Sequence, residues 1–315
     1  MLHIAYDDKL LGWQLGKGHP TNPIRAKHAT ELLWNRMPGL VHVDPITRKV
    51  SRDELALLHD REYVHRTMNG DNAEWSGTRQ DLAKVARHMF AGTQQLVDGI
   101  LDGEVRYGFS PQGAKHHAMA NRGSGFCVYA DFAHAATILA RAGHRVLVLD
   151  TDAHHGDGTE ALTRDNPDVM TVSVHDRAIF PGTGHWSDVE DGVINYPLRP
   201  GSGDSALVAA VAHALDAHAE SFDPTVLLWA IGGDGYVDDP LSTLRYTYAG
   251  YSAVSAVVGA FAGVRDMPIL FGGAGGYLPH THTPRVWATV AAETYAMTEK
   301  VALDAVDAVD PVHVA

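Results

Sequence analysis

Four short apolar runs, spaced by longer helical stretches, constrain this chain more than any other feature. They are HRVLVLD (144–150), DVMTVSVH (168–175), TVLLWAIGG (225–233) and MPILFGG (267–273). Each is rich in apolar and β-branched residues with little polar alternation, as a strand buried on both faces requires. Around them, residues 81–103, 205–222, 241–263 and 283–297 have the apolar periodicity of helices. Strands separated by helices of this length predict parallel βαβ units. The expected class is therefore α/β, with a central, mostly parallel sheet flanked by helices on both faces. No low-complexity linker, repeat or charge run interrupts the pattern, so one domain over residues 1–315 is expected.

That architecture says where chemistry belongs. In open α/β sheets, ligands sit beyond the carboxyl ends of the strands. Three unusual stretches fall there: TDAHHGDG after residue 150, GGDGYVDD after 231 and GGAGGYLPH after 271. In the first, Asp152 and His154 are two residues apart and point the same way if the chain stays extended. They would then offer one ion a carboxylate oxygen and an imidazole nitrogen. Asp234, at another strand end, is a candidate third ligand. A mixed Asp/His set without cysteine suits a catalytic Zn²⁺ or similar ion, although D-x-D-x-H alone also reads as a solvated turn. His155 would point away, and no chemistry is assigned to it.

Upstream, GAKHHAMANRGSGFCVYAD (113–131) contains adjacent histidines, His116 and His117. Imidazoles beside an activated water suit general acid–base work, and each needs a partner on its second nitrogen. Asp150 and Asp157 are free for that. The glycine-rich turn of GGAGGYLPH delivers Tyr277 to the strand ends, where a phenol can donate to a developing oxyanion. Phe126, and Phe180 in VHDRAIFPGTGHW (174–186), could form an apolar slot for an alkyl chain. Singly, each feature is also what a His-rich surface, a loop or a packed ring looks like.

Composition narrows the class. A net charge of −13 disfavours nucleic acid, whose phosphates are bound through Lys and Arg. The single cysteine, Cys127, excludes an internal disulfide framework and fits a reducing compartment. No signal-peptide pattern and no membrane-spanning apolar run is evident, so a cytoplasmic protein with no membrane partner is expected. A homo-oligomer is left open.

Jointly, HHAMANRGSGFCVYAD, VLVLDTDAHHGDGTE, VMTVSVHD with FPGTG, GGDGYVDDPL and GGAGGY resemble the zinc-dependent histone deacetylase family, including its bacterial acetoin-utilisation group. HPTNPIRAKHA (19–29) and LLHDREYV (57–64) resemble its opening segments. The resemblance implies the arginase/deacetylase fold and one catalytic Zn²⁺ on Asp152, His154 and Asp234. It implies that His116 and His117 handle protons, backed by Asp150 and Asp157 respectively, with His117 ahead of His116 as the base. Tyr277 becomes the transition-state tyrosine. Phe126 and Phe180 become walls of an acyl-lysine channel, and Asp150 and Ser173 border a structural monovalent-cation site, usually K⁺. The implied reaction removes an acyl group, acetyl first, from an acylated amine in a peptide or small molecule.

Three departures stand out. Lys115 precedes the histidine pair where the family often has an apolar residue. The turn after Tyr277 is about a residue longer than usual. Leu241, counted with the channel, stands where acetyl-polyamine-cleaving relatives can carry a glutamate, which leans away from polyamines. The acidic rim residue is expected within 70–80, with Asp71 and Glu74 as candidates. A two-Mn²⁺ arginase-like hydrolase and a non-catalytic acyl-ligand binding protein are the competing readings.

Overall fold

The computed structural model describes residues 1–303. Its centre is an eight-stranded sheet in the order β2-β1-β3-β8-β7-β4-β5-β6. The strands are β1 Leu2–Ala5, β2 Val41–Asp44, β3 Tyr107–Ser110, β4 Val146–Asp150, β5 Val169–Asp176, β6 Val193–Leu198, β7 Val226–Ile231 and β8 Ile269–Gly273. Every pairing is parallel, so all carboxyl ends share one edge.

The apolar runs are continuous because alternate residues enter two different cores. Leu147, Leu149, Leu227, Trp229, Ile231, Ile269 and Phe271 face one layer, with the helices Ile24–Arg36, Asp204–Ala214, Tyr248–Val264 and His282–Glu299. Val146, Val148, Val226, Leu228, Ala230 and Leu270 face the other, with Gln80–Leu101 and Asp131–Arg141. Successive strand residues point to opposite faces, so a sheet covered on both sides shows no polar alternation. Each large side chain buried in this way stabilises the fold by roughly 2–3 kcal/mol relative to exposure.

The four strands read from the sequence are β4, β5, β7 and β8. β1, β2, β3 and β6 were not expected. Two expected helices differ in detail. The segment 241–263 becomes helical only at Tyr248, because residues 241–247 are drawn into loop pairing, with Tyr246 bridging Tyr236 and Arg245 bridging Gly203. The segment 205–222 runs as Asp204–Ala214 and then widens into a π turn, Leu215–Ala219. Among the described residues, no helix is long and apolar enough to cross a membrane.

Between β4 and β7 the topology reverses. The chain steps outward from β4 to β5 and β6, then returns on β4's other side as β7 and β8. Loops diverging there leave a crevice at the carboxyl edge, the usual ligand position of such sheets.

One buried group makes the fold sensitive to acid. His134, packed edge-on against Phe90 at 4.8 Å, bonds Gln94 through Nδ1 (2.8 Å) and has no hydrogen-bond partner at Nε2 among the described residues. Burial, aided by the Arg48 charge, lowers its pKa to about 3. An unfolded histidine takes a proton below about pH 6.5. The folded state refuses it, so this penalty is absent above pH 6.5 and grows as pH falls towards 3. The slope is about 1.4 kcal/mol per pH unit. Relative to His134→Asn, which does not titrate, the native protein should lose about 1.5–2 kcal/mol between pH 6.5 and 5 in urea unfolding. Parallel stability profiles for the two proteins would refute this.

Candidate active site

The loop after β4 does not stay extended. It bends at once, because the Asp152 amide donates to Asp150 Oδ1 (3.0 Å) and the His154 amide to Asp152 Oδ1 (2.9 Å). Such Asx turns replace the alternation expected from an extended chain, yet still bring Asp152 and His154 together. From the end of β7, Asp234 reaches the same point, where its Oδ1 accepts the Ala153 amide at 2.9 Å. His154 Nδ1 lies 3.0 Å from Asp152 Oδ1 and 2.9 Å from Asp234 Oδ2, and all three residues are buried.

The donor set fits a cation. Two fully buried carboxylates this close repel unless positive charge lies between them. Burial raises Asp234, Asp152 adds to the rise, and its pKa reaches about 6. His154 is driven strongly upward against burial by the same carboxylates. The trio therefore demands a positive charge at its centre, and a divalent ion with N and O preferences supplies it best. Three ligating atoms within 4.8 Å of one another, one from each of these residues, make up the one such group among the described residues. Gly275 permits this approach: a Cβ there would collide with the carboxylates of both Asp234 and Asp152.

Beside the trio stand the two histidines, ring centroids 3.9 Å apart. His116 Nδ1 is 2.6 Å from Asp150 Oδ2, and His117 Nδ1 is 2.7 Å from Asp157 Oδ1. Each ring is thus oriented by its own carboxylate, leaving Nε2 for other work. Their environments differ. Burial opposes charge on His116, but the Asp150 and Asp152 carboxylates outweigh it and raise the pKa to about 9. For His117, burial and the neighbouring His116 charge act together and lower it to about 4. Adjacent groups pushed apart in this way can hold one proton and accept another.

Aromatic residues stand around the histidines and the trio. The Phe180 ring lies 5.0 Å from His117 and 6.3 Å from His154, and is 49% exposed at the mouth. Tyr277 lies 6.3 Å from His154 and 6.1 Å from Phe126, whose other neighbour is His19 at 4.6 Å. Burial, with Asp234 and Asp152 nearby, keeps the Tyr277 phenol far above its ordinary pKa and therefore protonated.

Supports invisible in the sequence hold these walls. Glu74 accepts the Phe126 amide at 2.6 Å, fixing a residue at φ 65°, where a non-glycine pays about 1–2 kcal/mol. Asp239 accepts the Tyr277 amide (2.7 Å) and the Leu241 amide (3.0 Å). Arg25 donates to the Gly276 carbonyl at 2.7 Å. Of the two candidates for the acidic rim, Glu74 is spent on Phe126, while Asp71 lies exposed, 3.7 Å from Arg66. Leu241 sits on the surface, 37% exposed, tied to the site only through Asp239.

His155 is buried. Its Nδ1 is 2.8 Å from Thr183 Oγ1 and its Nε2 2.9 Å from Glu160 Oε2, so it fastens the Phe180 loop to the helix Asp157–Thr163. Asp150 pairs in register with Ser173, and a small cavity lined by both, with Thr159 and Glu160, lies beneath the site.

A model of the histone deacetylase domain matches residues 19–294. The chain belongs to the histone deacetylase family. Among its relatives, the acetoin utilization protein AcuC of Staphylococcus aureus (strain MSSA476) is 33% identical over 91% of this chain and 79% of its own length. AcuC of Bacillus subtilis (strain 168) is 30% identical, over 91% and 80% respectively. The crystal structure of the HDA15 HD domain superposes with a TM-score of 0.77 at 25% identity, covering 93% of this chain and 89% of that one. The parallel sheet flanked by helices is the histone deacetylase architecture, and the crevice between β4, β7 and β8 lies at the edge where α/β sheets place their ligands.

Proposed function

We propose that this histone deacetylase-family chain is a zinc-dependent amidohydrolase that removes a short acyl group, acetyl included, from the amine of an acylated lysine. The observation that carries the reading is a pair of histidines with separate carboxylate partners and opposite proton affinities, set beside a three-residue cation cradle. Zinc held by Asp152, His154 and Asp234 would polarise the amide carbonyl and acidify a water.

The chain's own groups supply the rest. Phe126 and Phe180 exclude water and align the alkyl stem of the substrate. The protonated Tyr277 hydroxyl donates to the carbonyl oxygen as negative charge develops there. His117, neutral at pH 7 and tethered through Nδ1 to Asp157, takes the proton of the attacking water at Nε2. His116, held charged by Asp150, stabilises the oxyanionic stage, and a protonated histidine of the pair returns a proton to the departing amine. The products are a carboxylate and a free amine.

One catalytic unit over residues 1–315 is part of this reading, with 304–315 outside the described residues. So is K⁺ near Asp150 and Ser173, and a cytoplasmic setting. An apolar Leu241 favours acyl-lysine over acetyl-polyamine. The single cation cradle favours one zinc over an arginase-like metal pair.

The test is a panel of acyl-lysine peptides and acetyl-polyamines, assayed with and without a hydroxamate, alongside metal analysis. Hydroxamate-sensitive turnover of acyl-lysine with one zinc per chain is expected. Zinc binding without turnover of any amide would make the chain an acyl-ligand binding protein instead.

A further inference from the structure

Beneath Tyr277 lies a small cavity, about 20 Å³, lined by Thr21, Arg25, Lys115, His116, Cys127 and Gly275 among others. It begins where His116 and Tyr277 flank the acyl carbon in the reaction above, so what it accepts is the far end of the acyl group. Its chemistry is unusual for such a place. Lys115 is 8% exposed and Arg25 is 3% exposed, which puts two basic side chains at one small void.

Neither cation has a contacting carboxylate among the described residues: Asp152, Asp234 and Asp239 act on Arg25, and Asp131 and Asp152 on Lys115, only through space, and burial lowers the pKa of both. The Lys115 ammonium makes no hydrogen bond or ion pair among the described residues. The nearby Asp131 spends its oxygens on Thr93 Oγ1 (2.5 Å), the Ala114 amide (3.0 Å) and the Lys115 amide (2.7 Å). Burial pushes the Cys127 thiol up to about 12, so it adds no charge. Arg25 uses one nitrogen on the Gly276 carbonyl and stacks over Trp287 at 4.8 Å, while its Nε has no acceptor. Desolvated cations without a contacting counter-charge are costly to bury, and a bound anion would offset that cost. An apolar acyl tail pressed against Lys115 would deepen that cost.

We propose that this cavity selects acyl groups ending in a carboxylate, short ones first, with Lys115 and Arg25 as the specificity-determining pair. A void with room for about one water-sized group can take the end of a short acyl chain and not a long one, so a carboxylate one methylene beyond the carbonyl fits best. The preferred substrate is then malonyl-lysine, followed by succinyl-lysine. The proposal rests on the amide-hydrolase reading. Water forms a C–O bond at the acyl carbon, the C–N bond breaks, the amine takes the proton, and malonate or succinate leaves.

The experiment compares kcat/KM for malonyl- and succinyl-lysine peptides with the same peptides carrying a terminal carboxamide, equal in size but uncharged. The native protein should prefer the carboxylates by about tenfold or more. Lys115→Met should bring that ratio near one, and Lys115→Arg should restore most of it. A ratio within one protein is insensitive to overall loss of activity. Calorimetric titration with free succinate and succinamate adds a readout independent of turnover, with succinate binding expected to weaken at least tenfold in Lys115→Met. No charge preference in the native protein, or the same preference in Lys115→Met, would overturn the proposal. Lys115-dependent succinate binding without any amide hydrolysis would uphold the anion site and reject the hydrolase reading.

Discussion

His154→Ala should strip the chain of zinc and lower kcat by at least about 10³-fold on any substrate it turns over. His154 is the only neutral donor in the cradle, its Nδ1 2.9 Å from Asp234 and 3.0 Å from Asp152. Without it, two buried carboxylates face each other with no partner that tolerates both charges. One of them will take a proton, and the affinity for a divalent ion goes with it. The second consequence is thermal. Zinc should raise the Tm of the native protein and leave that of the variant unchanged, since a ligand stabilises only the state that binds it. A variant that kept one zinc per chain with near-native kcat would remove His154 from the ligand set.

Tyr277→Phe should keep zinc, fold and KM while lowering kcat by about 10²–10³-fold, the usual cost of one donor to an oxyanion. Phenylalanine preserves the packing of the ring, 6.1 Å from Phe126 and 6.3 Å from His154, and its amide still bonds Asp239. Only the O–H is lost, and in this mechanism that group matters chiefly when negative charge gathers on the carbonyl oxygen. The loss therefore belongs in kcat, with substrate affinity little altered. A variant with a raised KM and unchanged kcat would make Tyr277 a wall of the channel only.

Much of this site could be read before any coordinates because its residues are tied to strand ends. Asp150, Asp152 and His154 lie within five residues of one another, and the apolar run before them announces β4. What stayed hidden has two physical causes. β1, β2 and β3 have four residues each, and segments such as YGFS or VHVD carry too few apolar residues to announce a strand, while the apolar run of β6 is broken by Asn195 and Pro197. Their burial comes from neighbours: Gly108 of β3 packs closely under the side chains of Leu96 and Leu270. The supports are long-range pairs. Glu74 meets Phe126 across 52 residues, Asp239 meets Tyr277 across 38, and Arg25 meets Gly276 across 251. Local periodicity carries no trace of such pairings. His155, given no chemistry by the sequence, is buried as a fastening for the Phe180 loop, a role that its long-range partner Thr183 hides from local pattern.

The strand order also governs how such a chain becomes complete during synthesis. β8, the last strand among the described residues, lies between β3 and β7 and joins β2-β1-β3 to β7-β4-β5-β6. Until it emerges from the ribosome, these two partial sheets expose apolar edges with unpaired backbone groups, the state most prone to aggregate or to recruit a chaperone. Asp152, His154 and Asp234 have all been translated by then. Gly275 and Tyr277 follow β8 directly, so the cation cradle closes in the same step that seals the sheet.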